Sequence, residues 1–176
     1  MAVLQILLRW WAVVALVASA AMLGAAHWFE SQGLAPCQLC LRQREVYWAA
    51  LAVAGPAIVW TLISRAKGTP RLAAFILFAI FTAGAVTAAF HAGGEQGWWA
   101  LPATCMGATG PINATDILAS LEGPATMPSC GDIAWSWLGL SMATWNAILS
   151  VALAGFSLAA AMRPRDAQVP RLYREP

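Results

Sequence analysis

The chain has 176 residues, of which 60% are hydrophobic and 10% are charged, and its formal net charge is +2. A mean hydropathy of +0.66 together with ten tryptophans lies outside the range of soluble domains, so the composition indicates a membrane protein. The small net charge argues against a nucleic-acid partner. The length leaves room for a few membrane spans and one sizeable loop in a single integral membrane domain.

Four stretches without Asp, Glu, Lys or Arg are long enough to cross a lipid bilayer as helices, at about 20 residues per crossing. The third contains FTAGAVTAAF over 81–90, whose small residues allow close helix packing. The prediction is an all-α membrane protein, a bundle of four transmembrane helices with two outer loops. The spans cover about residues 10–29, 46–63, 72–90 and 138–162, and the outer loops cover about 30–45 and 91–137.

The N-terminal span has some features of a secretory signal peptide, because Arg9 precedes an apolar run with small residues near 18–26. The run is longer than the apolar region of a usual signal. It ends in His27, Trp28 and Phe29 and is followed by three more spans. We therefore expect an uncleaved first helix.

The distribution of Lys and Arg predicts the orientation. If both termini are cytoplasmic, only Arg42 and Arg44 of the ten lysines and arginines lie outside. This bias agrees with the positive-inside rule. The tails 1–9 and 163–176 and the loop 64–71 are then cytoplasmic. They carry Arg9, Arg65, Lys67, Arg71, Arg163, Arg165, Arg171 and Arg174.

This topology places all four cysteines on one side, with Cys37 and Cys40 in the first outer loop and Cys105 and Cys130 in the second. That side corresponds to the oxidising face of a bacterial inner membrane. Two structural disulfides are the ordinary explanation for four such cysteines. A Cys-x-x-Cys pair, however, closes too small a loop to stabilise much and is well suited to thiol exchange.

The first cysteine pair is predicted at the start of the second helix, because Pro36 precedes it and an apolar helical stretch follows. Amide groups at a helix N-terminus favour a thiolate. Arg44 lies four residues after Cys40 on the same face, where a guanidinium can stabilise a Cys40 thiolate or bind an oxygen-bearing ligand. The alternative is an arginine that only anchors the helix at the membrane surface.

The second outer loop is predicted to be flexible and exposed, so that it can carry a cysteine to a partner. Cys105 and Cys130 are 25 positions apart with Gly, Pro, Ser and Thr between them, and a short segment, 115–121, is a candidate for a helix on the membrane surface. His91, just after the third span, is either a structural histidine or a donor to a bound carbonyl group, and His27 is expected to be structural. Zinc would call for a second Cys-x-x-Cys pair, so no metal site is predicted.

Taken together, these features resemble the bacterial disulfide bond formation protein B (DsbB) family. The resemblance covers nearly the whole chain and includes the four spans, a Cys-x-x-Cys-x-x-x-Arg after the first span and a cysteine pair in the second outer loop. The stretch CGDIAWSWLGLSMATWN over 130–146 is similar to the family's entry into the fourth helix. The stretch HAGGEQGWWALPATC over 91–105 is similar to a branch of the family.

The resemblance implies a protein-disulfide oxidoreductase of the bacterial inner membrane. Such an enzyme reoxidises a periplasmic DsbA-like dithiol oxidase and passes the electrons to ubiquinone or menaquinone. The implied disulfides are Cys37–Cys40 and Cys105–Cys130. Arg44 matches the family's quinone-side arginine, and His91 falls where it could contact the quinone.

The same resemblance implies a role for each cysteine. Cys105 is the sulfur attacked by the partner, and Cys130 then exchanges with Cys37. Cys40 faces the quinone as a thiolate.

Other functions remain open from the residues alone. A vitamin K epoxide reductase-like quinone oxidoreductase would have its Cys-x-x-Cys late in the chain, whereas here it follows the first span. A membrane scaffold stapled by two structural disulfides would hold bridges that resist mild reduction, whereas an oxidase would hold labile ones. A specialised relative that serves one dedicated dithiol partner would share all the motifs above.

The predicted orientation requires opposite results from two alkaline phosphatase fusions, because this enzyme is active only on the oxidising side of the inner membrane. A fusion after Lys67 should be inactive, and a fusion after Glu122 should be active. Equal activities would contradict the topology and would remove the oxidising environment from the cysteines.

Overall fold

The computed structural model of the chain describes residues 2–66, 68–105 and 127–163. The surface helix predicted over 115–121 lies outside these residues. So do Lys67 and the C-terminal arginines at 165, 171 and 174.

The described part of the chain is mostly helical, and four of its helices are long and apolar enough to cross a membrane. This confirms the predicted four-helix membrane bundle. A short helix, α1 (Ala2–Arg9), precedes them. The four long helices are α2 (Trp11–Ser31), α3 (Gln38–Ile63), α4 (Arg71–Glu95) and α5 (Met142–Ala161).

Helix α4 packs along α5 and α3, and α3 also packs against α2. Small residues make this close packing possible, as the sequence of the third span predicted. At Gly84, a Cβ atom would lie 2.8 Å from Cγ1 of Val46 on α3. Leu77 and Phe81 of α4 are fully buried and form the centre of the apolar core.

Helices α3 and α4 extend furthest beyond the charge-free stretches of the sequence. Helix α3 begins at Gln38, so its first turns carry Arg42, Arg44 and Glu45. Helix α4 continues to Glu95 and therefore includes His91. The polar residues near the N-terminus of α3 and the C-terminus of α4 are thus held on rigid helices and not on loops.

The fourth long helix is preceded by a small β-hairpin. Strand β1 (Ser136–Trp137) pairs antiparallel with β2 (Leu140–Ser141). The two residues between them, Leu138 and Gly139, have φ values of 53° and 76°, the backbone geometry of a tight type I′ hairpin turn. The hydroxyl of Ser141 then accepts the Thr144 N–H at 3.2 Å and caps α5, so the helix begins at Met142.

Candidate functional site

Cys37 forms the N-cap of α3, as the position of Pro36 predicted. Its backbone is extended, with φ −79° and ψ 172°, and its sulfur accepts the backbone N–H of Cys40 at 3.2 Å. This bond satisfies one of the unpaired N–H groups at the start of the helix. The first cysteine pair therefore sits at a helix N-terminus, where the local dipole favours negative charge.

The two cysteine pairs, which the sequence places in different loops, meet in one buried cluster. Cys37, Cys105 and Cys130 are 4%, 2% and 1% exposed, and Cys40 packs against them in a partly buried position. All four cysteines are free thiols in this structure. The fold thus brings together all the sulfurs that an exchange between the pairs requires.

The burial of Cys105 corrects one expectation from the sequence, which placed it in an exposed loop. It ends a 3₁₀ turn, Ala103–Cys105, and its carbonyl oxygen accepts the backbone N–H of Cys130 at 2.8 Å. Leu101, just before this turn, packs so closely on Gly94 that a side chain at that glycine would collide with it. These contacts hold the turn against the end of α4, and hydropathy gives no sign of them.

His91 connects α4 to both cysteine pairs. Its Nε2 atom lies 3.1 Å from the carbonyl oxygen of Cys130 and 3.7 Å from the sulfur of Cys37. The ring is 3% exposed. The sequence left two roles open for His91, a structural histidine or a donor to a bound carbonyl group. In the structure, both of these contacts are with residues of the cysteine pairs.

Three buried polar residues that the sequence analysis did not identify extend this arrangement. The side-chain amide of Gln43 bonds His91 Nδ1 at 2.9 Å, Asn146 bonds Gln43, and Tyr47 bonds Asn146. The sequence feature that could have revealed them is a strongly polar side chain inside an apolar span, as at Asn146. Such residues are costly in a membrane and often functional.

Arg44 forms an ion pair that the sequence did not predict, while its roles toward Cys40 and a ligand stay predictions. Its Nη1 atom donates to Glu30 Oε2 at 2.7 Å, and its Nη2 atom donates to the carbonyl oxygen of Ala26 at 3.3 Å. These bonds tie α3 to α2, and the Arg44 side chain is only 15% exposed. Arg42, in contrast, pairs with Glu45 on the exposed surface.

Glu95 is a fourth polar residue that the sequence did not assign to the site. Its side chain is 5% exposed, and its Oε1 atom lies 3.7 Å from His91 Nε2. Its other oxygen accepts a hydrogen bond from Ser141, the cap of α5. Glu95 therefore links the end of α4 to the start of α5.

A cavity of about 350 Å³ lies beside the cysteine cluster. Its walls come mainly from α2, α3, α5 and the segment before α5. Apolar side chains such as Met22, Phe29 and Leu149 form much of the lining. The polar lining includes Cys37, Cys40, Arg44, His91 and Glu95. An apolar cavity with a few convergent polar groups is typical of a site for a small, largely apolar ligand.

Three potential metal ligands also lie together, since the sulfurs of Cys37 and Cys40 and a ring nitrogen of His91 are within 4.8 Å of one another. Structural zinc sites usually have four ligands. In addition, Nε2 of His91 already contacts the Cys130 carbonyl oxygen. Within the described ranges, this group of three does not define a metal site.

Two of the cysteines outside the membrane helices, Cys37 and Cys105, have a raised pKa. A hydrogen bond from the Cys37 thiol to the sulfur of Cys40, together with burial, raises the pKa of Cys37 far above its ordinary range. Burial, followed by a hydrogen bond with Cys130, raises the pKa of Cys105 to about 11. In the reduced protein, the proton of the first pair thus stays on Cys37, and the Cys105 thiol stays protonated at neutral pH.

The raised pKa of Cys105 predicts how fast its thiol reacts as a function of pH. Only the thiolate reacts with iodoacetamide, so labelling of Cys105 in the fully reduced protein should rise about tenfold per pH unit and level off only near pH 11. Mass spectrometry of the labelled peptide measures this rate. Levelling off near pH 8.5, as for an exposed cysteine, would show that the thiol is not buried as described.

Comparison with known proteins agrees with this geometry. Residues 8–160 match the family model described as "Disulfide bond formation protein DsbB". The chain is 30% identical over 142 residues to "Disulfide bond formation protein B" of Xanthomonas oryzae pv. oryzae (strain MAFF 311018), covering 76% of this chain and 77% of that protein. It is 29% identical over 146 residues to the protein of the same name from Xanthomonas axonopodis pv. citri (strain 306), covering 78% and 80%.

No solved structure matches the chain. The family match covers all four long helices except the last residue of α5, and it includes the four cysteines. Because the match extends over most of the chain, the resemblance inferred from the motifs is confirmed. The chain belongs to the DsbB family of disulfide bond formation proteins and is a multi-pass membrane protein with disulfide oxidoreductase activity.

Proposed function

We propose that the protein is a quinone-dependent thiol oxidase of the bacterial inner membrane. It reoxidises a periplasmic DsbA-like dithiol oxidase and passes the electrons to ubiquinone or menaquinone. In this proposal both termini are cytoplasmic, and the cysteines face the periplasm. The observation that best supports this proposal is that both cysteine pairs meet in one buried cluster beside an apolar cavity.

The proposed exchange begins with both pairs as disulfides, Cys37–Cys40 and Cys105–Cys130. A thiolate of the partner attacks Cys105, forms a mixed disulfide with it and releases Cys130 as a thiolate. Cys130 then attacks Cys37, so a Cys37–Cys130 bond forms and Cys40 leaves as a thiolate. The contact between Cys37 and Cys130 within the cluster supports this order.

The remaining steps return the second pair to its oxidised form. The second thiolate of the partner resolves the mixed disulfide, which releases the oxidised partner and Cys105. Cys105 then displaces Cys37 from Cys130. The result is a Cys105–Cys130 disulfide and a reduced Cys37–Cys40 pair, so two electrons have moved from the partner to the first pair.

The cavity fits a quinone by size and by chemistry. Its apolar walls suit a ring and the start of an isoprenoid chain, and Arg44 and His91 supply N–H groups. Arg44 has five N–H donors, so its bonds to Glu30 and Ala26 leave others free to bind a ligand oxygen. A bound quinone would supply an acceptor for the two electrons and two protons of the Cys37–Cys40 dithiol.

Replacement of Cys130 tests the proposed order of attack. In the Cys130→Ala variant, Cys105 has no internal partner and should form one persistent mixed disulfide with a partner that carries an activated disulfide. A non-reducing gel shows this adduct as a shifted band. The Cys105→Ala variant is the matched control and should not form the same adduct. An equal band from both variants would reassign the attacked sulfur.

Arg44 and Arg42 provide a matched pair for testing the quinone site. A hydrogen bond to a charged group contributes about 1.5 to 3 kcal/mol, so Arg44→Ala should weaken quinone use by roughly ten- to a hundredfold. Arg42→Ala should have little effect, because Arg42 lies outside the cavity and pairs with Glu45 on the surface. The measurement is the quinone-concentration dependence of turnover with a reduced DsbA-like partner.

Two outcomes would contradict these assignments. Equal and small effects from the two substitutions would reduce Arg44 to a link between α2 and α3. A wild-type protein that oxidises the partner without reducing a quinone would contradict the proposed function itself.

A further inference from the structure

A chain of buried hydrogen bonds runs from α5 through α3 and α4 to the second cysteine pair. Tyr47 donates to Asn146 Oδ1, and Asn146 Nδ2 donates to Gln43 Oε1. The amide nitrogen of Gln43 lies 2.9 Å from His91 Nδ1, and His91 Nε2 lies 3.1 Å from the Cys130 carbonyl oxygen. The four side chains are each less than 9% exposed.

The last bond fixes the direction of the whole chain. A carbonyl oxygen can only accept, so Nε2 of His91 must carry a hydrogen. In a neutral ring, Nδ1 then has no hydrogen and accepts one from the Gln43 amide. The oxygen of Gln43 is left to accept from Asn146, whose own oxygen accepts from the Tyr47 hydroxyl. Every donor in the chain therefore meets an acceptor.

The other neutral tautomer, with the hydrogen on Nδ1, would break this pattern of hydrogen bonds. A hydrogen on Nδ1 would face the Gln43 amide nitrogen, which is also a donor, unless the amides of Gln43 and Asn146 both rotated. The other groups facing the ring are the Cys37 sulfur and Glu95 Oε1, each 3.7 Å from Nε2, and both are compatible with a hydrogen on that nitrogen. The Cys130 carbonyl, the Cys37 sulfur and Glu95 Oε1 thus favour a hydrogen on Nε2, and the Gln43 amide nitrogen disfavours a second hydrogen on Nδ1.

We propose that Gln43 and Asn146 are positioning residues that fix His91 as the Nε2–H tautomer. The fixed N–H then holds the Cys130 backbone next to Cys37 for exchange between the two pairs. This inference rests on the proposed function, because it concerns the attack of Cys130 on Cys37. It adds that Gln43 on α3 and Asn146 on α5, which act through hydrogen bonds to each other and to His91, set the rate of this step.

The expected effect follows from the size of one buried hydrogen bond. Without the amide of Gln43, the ring can place its hydrogen on either nitrogen, and the bond to Cys130 is lost for part of the time. The transfer between the pairs should slow by about threefold to tenfold. Asn146→Leu acts one link further away, so its effect should be smaller than that of Gln43→Leu.

The tautomer can be observed directly by ¹⁵N NMR of the histidine-labelled wild-type protein in detergent, with the Cys37–Cys40 disulfide formed and no quinone bound. The His91 signals are assigned by comparison with a His27→Gln variant, since the chain has two histidines. The proposal requires an unprotonated Nδ1 and a protonated Nε2 at neutral pH. An Nδ1–H tautomer or a doubly protonated ring would overturn it.

The transfer step is measured on the same quinone-free protein. A reduced DsbA-like partner is mixed in rapidly, and the new thiols of Cys37 and Cys40 are trapped by alkylation at successive times. Gln43→Leu and Asn146→Leu should slow their appearance and should shift the His91 signals toward a tautomer mixture. The matched control is Gln32→Leu, an exposed glutamine at the end of α2, which should match the wild type in both measurements.

The outcomes separate the two proposals. If the wild type transfers no electrons between the pairs, the proposed function fails. If the wild type transfers them, but Gln43→Leu retains the wild-type rate and the wild-type His91 signals, the positioning role is refuted while the proposed function stands. If Gln43→Leu does not fold, the wild-type tautomer and the Asn146→Leu comparison decide the question.

Discussion

The hydrogen bond from His91 to the Cys130 backbone is the contact on which the arrangement of this site depends. Cys130 lies in a turn outside the helices, whereas His91 lies on a membrane helix whose inner face is packed in the core. This one hydrogen bond therefore fixes Cys130 to the rigid helix bundle, although Cys130 is not itself part of a helix. Cys37 is positioned in a different way, as the cap of α3. The two sulfurs meet because two helices, α3 and α4, pack side by side.

The membrane environment makes the hydrogen bonds among Gln43, Asn146 and Tyr47 especially important for the packing of the bundle. In an apolar bundle, an unpaired amide has no water to bond, so leaving it unsatisfied is costly. Gln43 and Asn146 each use both their oxygen and their nitrogen within the chain. The bundle can therefore hold them only in a narrow range of orientations. A network that satisfies every member specifies one geometry, whereas a purely apolar core would allow the helices to rotate or slide.

The sequence predicted the four helices and the place of the first cysteine pair, because span length and a proline before a helix are local properties. Arg44 lies near the N-terminus of α3, as the sequence predicted, but its ion pair with Glu30 depends on how α2 and α3 face each other. The bond between Gln43 and Asn146 joins residues 103 positions apart. Helix rotation decides such contacts. In a membrane bundle both the core face and the lipid face are apolar, so the usual 3.6-residue period that reveals rotation is weak.

The burial of Cys105 could not be predicted from the sequence either. The contacts of Cys105 affect how a partner protein reaches its sulfur. Cys105 is held by the packing of Leu101 on α4 and by one backbone bond with Cys130, while Cys130 has its own bond to His91. If Cys105 is the sulfur that the partner attacks, the short turn that carries it must open. Such an opening breaks the contacts of Cys105 and leaves the bond between His91 and Cys130 intact. The two cysteines of the second pair, Cys105 and Cys130, are thus held by different contacts. In the proposed order of attack, Cys105 would move outward to the partner while Cys130 stays beside Cys37.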